Sequence, residues 1–396
     1  MAASLCCSTR RLLSPRVTST LRAELRLFSG CRILKAETAQ TPMGSQAGTR
    51  SIHVSAIRRR NADDFVRETE KFFASSSSQV VEEPLGRSYL YVPATSERML
   101  EKSLTTTSDV IIYDLEDSVP PSAADKTGAR KRLSTFLSDR LADLPAHERI
   151  AVRVNSLGTP FFAADISMAI NLDCVRTLVL PKIRSAKDLY HVSEAVHAAC
   201  ASLQPNRRRP PVQLVASIES AQAVHKLGQI AQWKAKVEHG GRLSALLFAA
   251  EDYCADTGVI RTTSRQELLY TRSYIAVTAK AHKLKAIDMV CVNYKDFDYL
   301  RDECEDGRRL GFTGKQAIHP TQVDVIQSTF VPSSKEILRA ARILKQMEKA
   351  HKSNKGAAGL TLEGGGMEMI DAPMIKQAEN VVRAARAAGL EIPDVE

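Results

Sequence analysis

Along the chain, short apolar runs that stop abruptly at polar or charged residues alternate with stretches of helical periodicity. The strand candidates are SYLYVPA (88–94), VIIYDLED (110–117), IAVRVNS (150–156), VRTLVLPKI (175–183), VQLVASIES (212–220), LSALLFAAED (243–252), AIDMVCVN (286–293) and TGKQAIHP (313–320). Helix-like stretches follow them at 97–105, 123–141, 160–171, 186–202, 221–233, 264–282, 299–310 and 320–329. Most strand candidates are continuously apolar rather than alternating, the pattern of a parallel sheet buried on both faces. Eight such units predict an α/β fold, a (β/α)8 TIM barrel rather than an open sheet. The eighth strand is only weakly apolar.

The barrel does not use up the chain. Residues 333–351 read as an amphipathic helix on Ile337, Ala341, Leu344 and Met347. A glycine-rich passage, KGAAGLTLEGGG (355–366), leads to a last helix-like run, IDAPMIKQAENVVRAARAAGLEI. Glycines of this density beside a helix predict a C-terminal helical extension acting as a lid or arm; a linker to a surface helix is the plainer alternative. The expected organisation is a leader at 1–60, a linker at 61–86 that includes Ser75-Ser76-Ser77-Ser78, a barrel at 87–331 and the extension at 332–396.

Charge changes the picture only at the amino terminus. The net charge is +10, but eleven of the 55 Lys/Arg and only two of the 45 Asp/Glu lie in residues 1–60. The remaining 44 basic and 43 acidic residues nearly cancel, so nothing favours a nucleic-acid partner. The leader is rich in Arg and Ser, with Leu13, Val17, Leu21, Leu25 and Phe28 at helical spacing. That is the character of a mitochondrial presequence and predicts the mitochondrial matrix. No apolar run reaches the roughly 18 residues needed to span a membrane. Of eight cysteines, five follow the leader (Cys174, Cys200, Cys254, Cys291, Cys304), scattered and without C-x-x-C spacing. Neither a disulfide framework nor a zinc site is indicated.

In a barrel, function is read at the carboxyl ends of the strands. Tyr91, Glu116, Asp117, Arg153, Asn155, Lys182, Glu219, Glu251, Asp252 and His319 all fall there. Singly, each has an ordinary explanation: Asp117 or His319 as a cap, Lys182 as partner of an acid. Together, charges of this density at one rim point to a site. Glu219 and Asp252 end neighbouring strand candidates, and two acids side by side invite a divalent cation; Mg²⁺ is the expectation. There is no G-x-x-x-x-G-K-[ST] loop and no G-x-S-x-G elbow. Lys182 would be the candidate for a Schiff-base aldolase. A carboxylate-held Mg²⁺ beside Arg153 suits a 2-oxo acid instead, with charge developing on oxygen.

LYVPA, YDLEDSV, RVNS, LPKI, IES, AED, GFTGKQAIHP and MIDAPMIKQA, in this order, resemble the citrate lyase β-subunit and malyl-CoA lyase family of aldolases. The resemblance runs from about Arg87 to the C-terminal helix. It implies Glu219 and Asp252 as Mg²⁺ ligands, Arg153 against the oxo acid and enolate, and Glu116 and Asp117 supporting metal-bound water. It also implies Tyr91, Arg98, Lys102, Ile318 and His319 near the acyl-CoA. Asp371 falls on the family's catalytic acid/base, carried by a segment that closes over the neighbouring active site of a homotrimer; by itself Asp-Ala-Pro reads as a helix cap. Ala249-Ala250 and Ala94 stand where the family often has glycine. The activity implied is reversible, Mg²⁺-dependent cleavage of a malyl-CoA or citramalyl-CoA type substrate to acetyl-CoA and a 2-oxo acid such as pyruvate or glyoxylate. Malate-synthase-like condensation with release of CoA and non-catalytic CoA binding are the alternatives.

Overall fold

The computed structural model of the protein describes residues 85–203, 209–352, 358–361 and 367–395. The expected presequence (1–60) and nearly all of the expected linker (61–86) lie outside the described residues. Eight parallel strands form a closed barrel in sequential order: β1 (Ser88–Pro93), β2 (Val110–Asp114), β3 (Ile150–Arg153), β4 (Thr177–Leu180), β5 (Gln213–Ile218), β6 (Arg242–Phe248), β7 (Lys285–Asp288) and β8 (Gly314–Ala317). The seam closes where Ser88, Tyr89 and Leu90 pair with Lys315, Gln316 and Ala317.

Alternation within the strands divides the apolar side chains into two layers. Tyr89, Val110, Ile112, Ala151, Val179, Val215, Ala245, Leu247 and Ile287 form one buried cluster drawn from β1 to β7, the barrel interior. Their strand neighbours, among them Ile111, Tyr113, Val152, Leu178, Leu214 and Phe248, pack outward in a larger cluster with the helices. The continuous apolar runs reflect this burial on both faces. Although β8 reads Gly-Lys-Gln-Ala, it is wholly buried. Its polar side chains are paired: Lys315 Nζ lies 2.8 Å from Glu303, and Gln316 Nε2 donates to the Phe248 and Asp288 carbonyls at 2.9 Å.

Helices return the chain outside the barrel: α1 (Glu97–Ser103), α2 (Ala123–Asp139), α3 (Phe162–Asn171), α4 (Ala186–Ala201), the short pair α5 (Ala221–His225) and α6 (Leu227–Ala231), α7 (Ala250–Thr257), α8 (Leu269–Ala281), α9 (Phe297–Leu310) and α10 (Val323–Thr329). The strands are shorter than the apolar runs imply. Glu116 and Asp117 lie beyond the end of β2, Lys182 lies beyond β4, and Asp252 belongs to the first turn of α7 rather than to a strand. The rim charges therefore stand on turns just past the strands. Backbone polar groups there leave the ladder, and side chains are free to converge.

After the barrel come α11 (Ser334–Lys352), the strands β9 (Ala358–Thr361) and β10 (Met367–Ile370), and α12 (Ala372–Ala387). The glycine-rich passage carries part of an antiparallel hairpin, with Met367 opposite Thr361 and Ile370 opposite Ala358. The sequence reading had no strand there. Helices α11 and α12 share their own apolar cluster around Ile343, Met347, Ile370, Ala378 and Val382, and Arg339 of α11 reaches Glu368 of the hairpin at 2.6 Å. Asn380, Val381 and Ala384 line a cavity with Gly86, Arg87, Lys285 and Thr313. Those four residues mark the amino ends of β1, β7 and β8, opposite the rim. No helix among the described residues is long and apolar enough to cross a membrane.

Candidate active site

The rim is organised by a residue that the sequence reading passed over. Asp114 is the last residue of β2 and the register partner of Arg153. Its carboxylate accepts Arg153 Nε and Nη2, each at 2.7 Å, the planar two-point grip that a guanidinium makes with a carboxylate. Asp114 also accepts the backbone amides of Glu116 at 2.9 Å and Ser118 at 3.1 Å, so it shapes the turn that presents Glu116 and Asp117. Burial pushes the Asp114 carboxyl upward, but the bonds from Arg153 outweigh it and its pKa is lowered. Alternation could have found it: Ile112 faces the barrel interior, and two residues further on so does Asp114.

Arg153 then spans the rim. Its Nη1 lies 3.1 Å from Glu116 Oε2 and 3.2 Å from Asp117 Oδ2, and its guanidinium sits 4.8 Å over the Tyr91 ring. Tyr91 donates its hydroxyl to Gln316 Oε1 at 3.0 Å, tying β1 to β8. Glu116 is buried, and that burial raises its pKa to about 7 even with Arg153 and Lys182 beside it. Lys182 Nζ is 3.4 Å from Glu116 Oε1. Burial lowers the Lys182 pKa, but Glu116 and Asp117 outweigh it and the net shift is upward. That shift favours the ammonium over the free amine that Schiff-base attack needs.

Opposite this cluster stand Glu219 and Asp252. Ile218 and Phe248 are register partners, so the turns carrying the two acids leave adjacent strands. Glu219 is buried, and its pKa is pushed up to about 8, first by burial and then by the charge of Asp252. The Asp252 pKa is also raised, by burial and then by Asp117. Glu219 Oε2 is buried with no hydrogen-bond partner. A buried orphan carboxylate oxygen facing a second acid is an unfavourable arrangement that a hard cation with oxygen ligands relieves. The donor set fits such an ion. No group of three or more His, Cys, Asp or Glu among the described residues makes a closed metal cage. Two carboxylates would leave the remaining positions to substrate oxygens and water, as Mg²⁺ sites commonly do.

Both acids line a cavity of about 390 Å³ together with Tyr91, Asp117, Arg153, Gln316 and Ile318. Its apolar lining includes Pro93, Leu247, Ala249, Ala250 and Val290. A smaller cavity of about 120 Å³ adjoins it and shares Glu219 and Asp252 with Lys182 and Arg184. The site residues that the family resemblance implies thus converge, with four exceptions. Arg98 and Lys102 are exposed on α1 and line neither cavity. His319 is exposed; it caps the turn at Pro320 through Thr321 and stacks on Tyr294 with ring centroids 5.0 Å apart. Asp371 is the exposed N-cap of α12, accepting the Met374 amide at 3.0 Å, and lines neither rim cavity of its own chain.

A second connection was also missed. Arg261 pairs with Glu251 on the rim and with Glu303 at 2.6 Å. Glu303 in turn meets Lys315, and both are fully buried. The first turn of α7, and with it Asp252, is thereby anchored to α9 and β8. A lysine inside a strand and a glutamate inside a helix give little sign of one another in sequence, since they meet only through closure of the barrel.

The sequence profile of the HpcH/HpaI aldolase/citrate lyase family matches residues 87–320. Citramalyl-CoA lyase, mitochondrial, from Rattus norvegicus is 32% identical over 304 residues, 76% of this chain and 86% of that protein. The (3S)-malyl-CoA thioesterase of Cereibacter sphaeroides (strain ATCC 17023) is 33% identical over 272 residues, 69% of this chain and 86% of that protein. Among solved structures, the protein CitE from Mycobacterium tuberculosis, in complex with magnesium, acetoacetate and coenzyme A, is similar with a TM-score of 0.58 and 27% identity; the match covers 77% of this chain and 98% of that one.

Proposed function

The chain belongs to the HpcH/HpaI aldolase/citrate lyase family, and we propose that it is a Mg²⁺-dependent acyl-CoA lyase. It cleaves a citramalyl-CoA or malyl-CoA type 3-hydroxyacyl-CoA reversibly to acetyl-CoA and a 2-oxo acid, pyruvate or glyoxylate. The observation that carries this reading is the orphaned Glu219 Oε2 facing Asp252 in a cavity that also holds Arg153. Glu219 and Asp252 would hold the ion. When bound, it would supply Lewis-acid polarisation of the oxo group and offset the charge of the oxo-acid portion.

The chain's own side chains supply the rest. Arg153, fixed by Asp114, stands in the same cavity as the two acids and stabilises the negative charge that develops on the enolate oxygen as the carbon–carbon bond breaks. Tyr91 stacks beneath that guanidinium and limits its movement. The apolar lining of Leu247, Ala249 and Val290 accommodates the methyl group of a pyruvate portion. Arg98 and Lys102, exposed on α1, would meet phosphate oxygens of CoA. Asp371 exchanges a proton with the acetyl methyl carbon. Its place on α12, away from the rim cavities, supports delivery from a neighbouring subunit of a homotrimer. The basic leader and the mitochondrial relatives support a matrix location.

Product analysis tests the reading. Acetyl-CoA with an equimolar 2-oxo acid supports the lyase. Free CoA with an intact 2-hydroxy acid would instead indicate thioester hydrolysis, the activity named for the Cereibacter relative.

A further inference from the structure

Lys182 has no part in the functions assigned above, yet the structure holds it at a cost. It follows β4 and Pro181 in the turn before α4, and its backbone is left-handed, with φ 56°. A side chain on Cβ disfavours that region. Glycine and asparagine enter it more readily, but neither could reach what Lys182 reaches. Strain of this kind persists only where the surroundings enforce it, and it collects at functional sites.

Two contacts give the strain a purpose. Lys182 Nζ lies 3.4 Å from Glu116 Oε1, and Arg153 Nη1 lies 3.1 Å from Glu116 Oε2. Each oxygen of one buried carboxylate thus faces a cation from a different strand end, β4 on one side and β3 on the other. Lys182 also borders the small cavity shared with Glu219 and Asp252. The Lys182 side chain is 45% exposed, yet its ammonium stands at Glu116 rather than wholly in water.

We propose that Lys182 is a positioning residue for the reaction: the left-handed backbone aims its ammonium at Glu116, and, with Arg153 fixed by Asp114, the Lys182–Glu116–Arg153 bridge sets where the Glu116 carboxylate stands relative to Glu219 and Asp252. The inference rests on the lyase reading of the rim. Removing the ammonium leaves Glu116 gripped on one side only, so its carboxylate can turn about the remaining contact with Arg153 Nη1, which Asp117 already shares.

The test separates backbone strain from function. Lys182→Asn relieves the left-handed strain and removes the charge; Lys182→Arg keeps the charge and the strain. The full chain is measured for melting temperature, which needs no reaction, and for kcat/KM in acyl-CoA cleavage. Wild-type turnover, measured alongside, tests the lyase reading separately. We expect Lys182→Asn to melt at or above the wild type while kcat/KM falls at least tenfold, and Lys182→Arg to recover most of that loss. The proposal is overturned if Lys182→Asn stays within twofold of wild-type kcat/KM. It is equally overturned if the Asn and Arg variants lose activity alike as their melting temperatures fall, which would make the residue a structural part of the loop.

Discussion

Asp114 and Arg153 lie side by side on β2 and β3 and join through two parallel bonds of 2.7 Å, so the rim's principal cation is oriented from within the barrel wall. Its position is set before any substrate arrives. Of the five N–H donors, two are spent on Asp114 and Nη1 meets Glu116 and Asp117, which leaves the second N–H of Nη2.

Arg153→Lys keeps the charge and loses the fork. Lysine cannot hold Asp114 at two points and present a third donor to the cavity. We expect kcat/KM for acyl-CoA cleavage to fall by about 10²–10³, the scale seen when one donor to a developing oxyanion is removed. Activity within tenfold of wild type would show that fork geometry is unimportant here. Asp114→Asn removes the carboxylate that grips Arg153 at two points, leaving it Glu116 and Asp117, and should destabilise the protein by about 1–3 kcal/mol, measured by chemical denaturation.

Glu219 predicts a pH dependence whose sign is fixed by its raised pKa. Its folded-state value is about 8, against an ordinary 4.5. The folded protein therefore holds the proton more tightly than the unfolded chain does. The stability this contributes is complete below about 4.5 and is lost as pH rises through about 8. Metal-free protein in EDTA should accordingly lose melting temperature across that window. Glu219→Gln should flatten the loss. Because an ion displaces the proton, Mg²⁺ affinity measured calorimetrically should rise with pH toward about 8 and then level off.

Asp371→Asn should leave Mg²⁺ and 2-oxo acid binding intact and abolish cleavage, since the variant keeps its cap to Met374 but cannot take a proton. If the base serves a neighbouring subunit, mixing Asp371→Asn with Asp252→Ala protein should restore a fraction of the activity. Each mixed oligomer then contains sites with an intact metal pair and an intact base. No recovery after subunit exchange would place the base within its own chain or remove it from the mechanism.

Lys315→Met should cost about 3–5 kcal/mol, because it leaves the fully buried Glu303 with Arg261 as its remaining cation. Denaturant unfolding measures this. The loss should exceed that of Arg309→Met, whose contacts with Glu305 and Asp306 lie on an exposed helix face.

How much of this was legible depended on where the physics is local. The eight apolar runs give eight strands because each strand is buried on both faces, a property carried by its own residues. Glu219 and Asp252 were visible because each interrupts such a run. Their true setting differed, with Asp252 on the first turn of α7, since a sequence does not show where a ladder stops and a helix begins. Asp114 was hidden inside VIIYD, where it looks like one more strand residue until its register with Arg153 is known. Lys315, Glu303 and Arg261 were illegible for the same reason: their pairing is long-range. The hairpin flanking residues 362–366 was missed because glycine density reads as loop. Asp371 is proposed through resemblance alone, and its local geometry is that of an ordinary helix cap.

The most direct measurement of the central claim is acetyl-CoA formation from citramalyl-CoA and malyl-CoA by the full chain, with Mg²⁺ and with EDTA, alongside Asp252→Ala. The account predicts acetyl-CoA and a 2-oxo acid in equal amounts with Mg²⁺, loss of both in EDTA with recovery on adding the ion back, and no turnover by Asp252→Ala. Cleavage that continues undiminished in EDTA, or in Asp252→Ala, would contradict it.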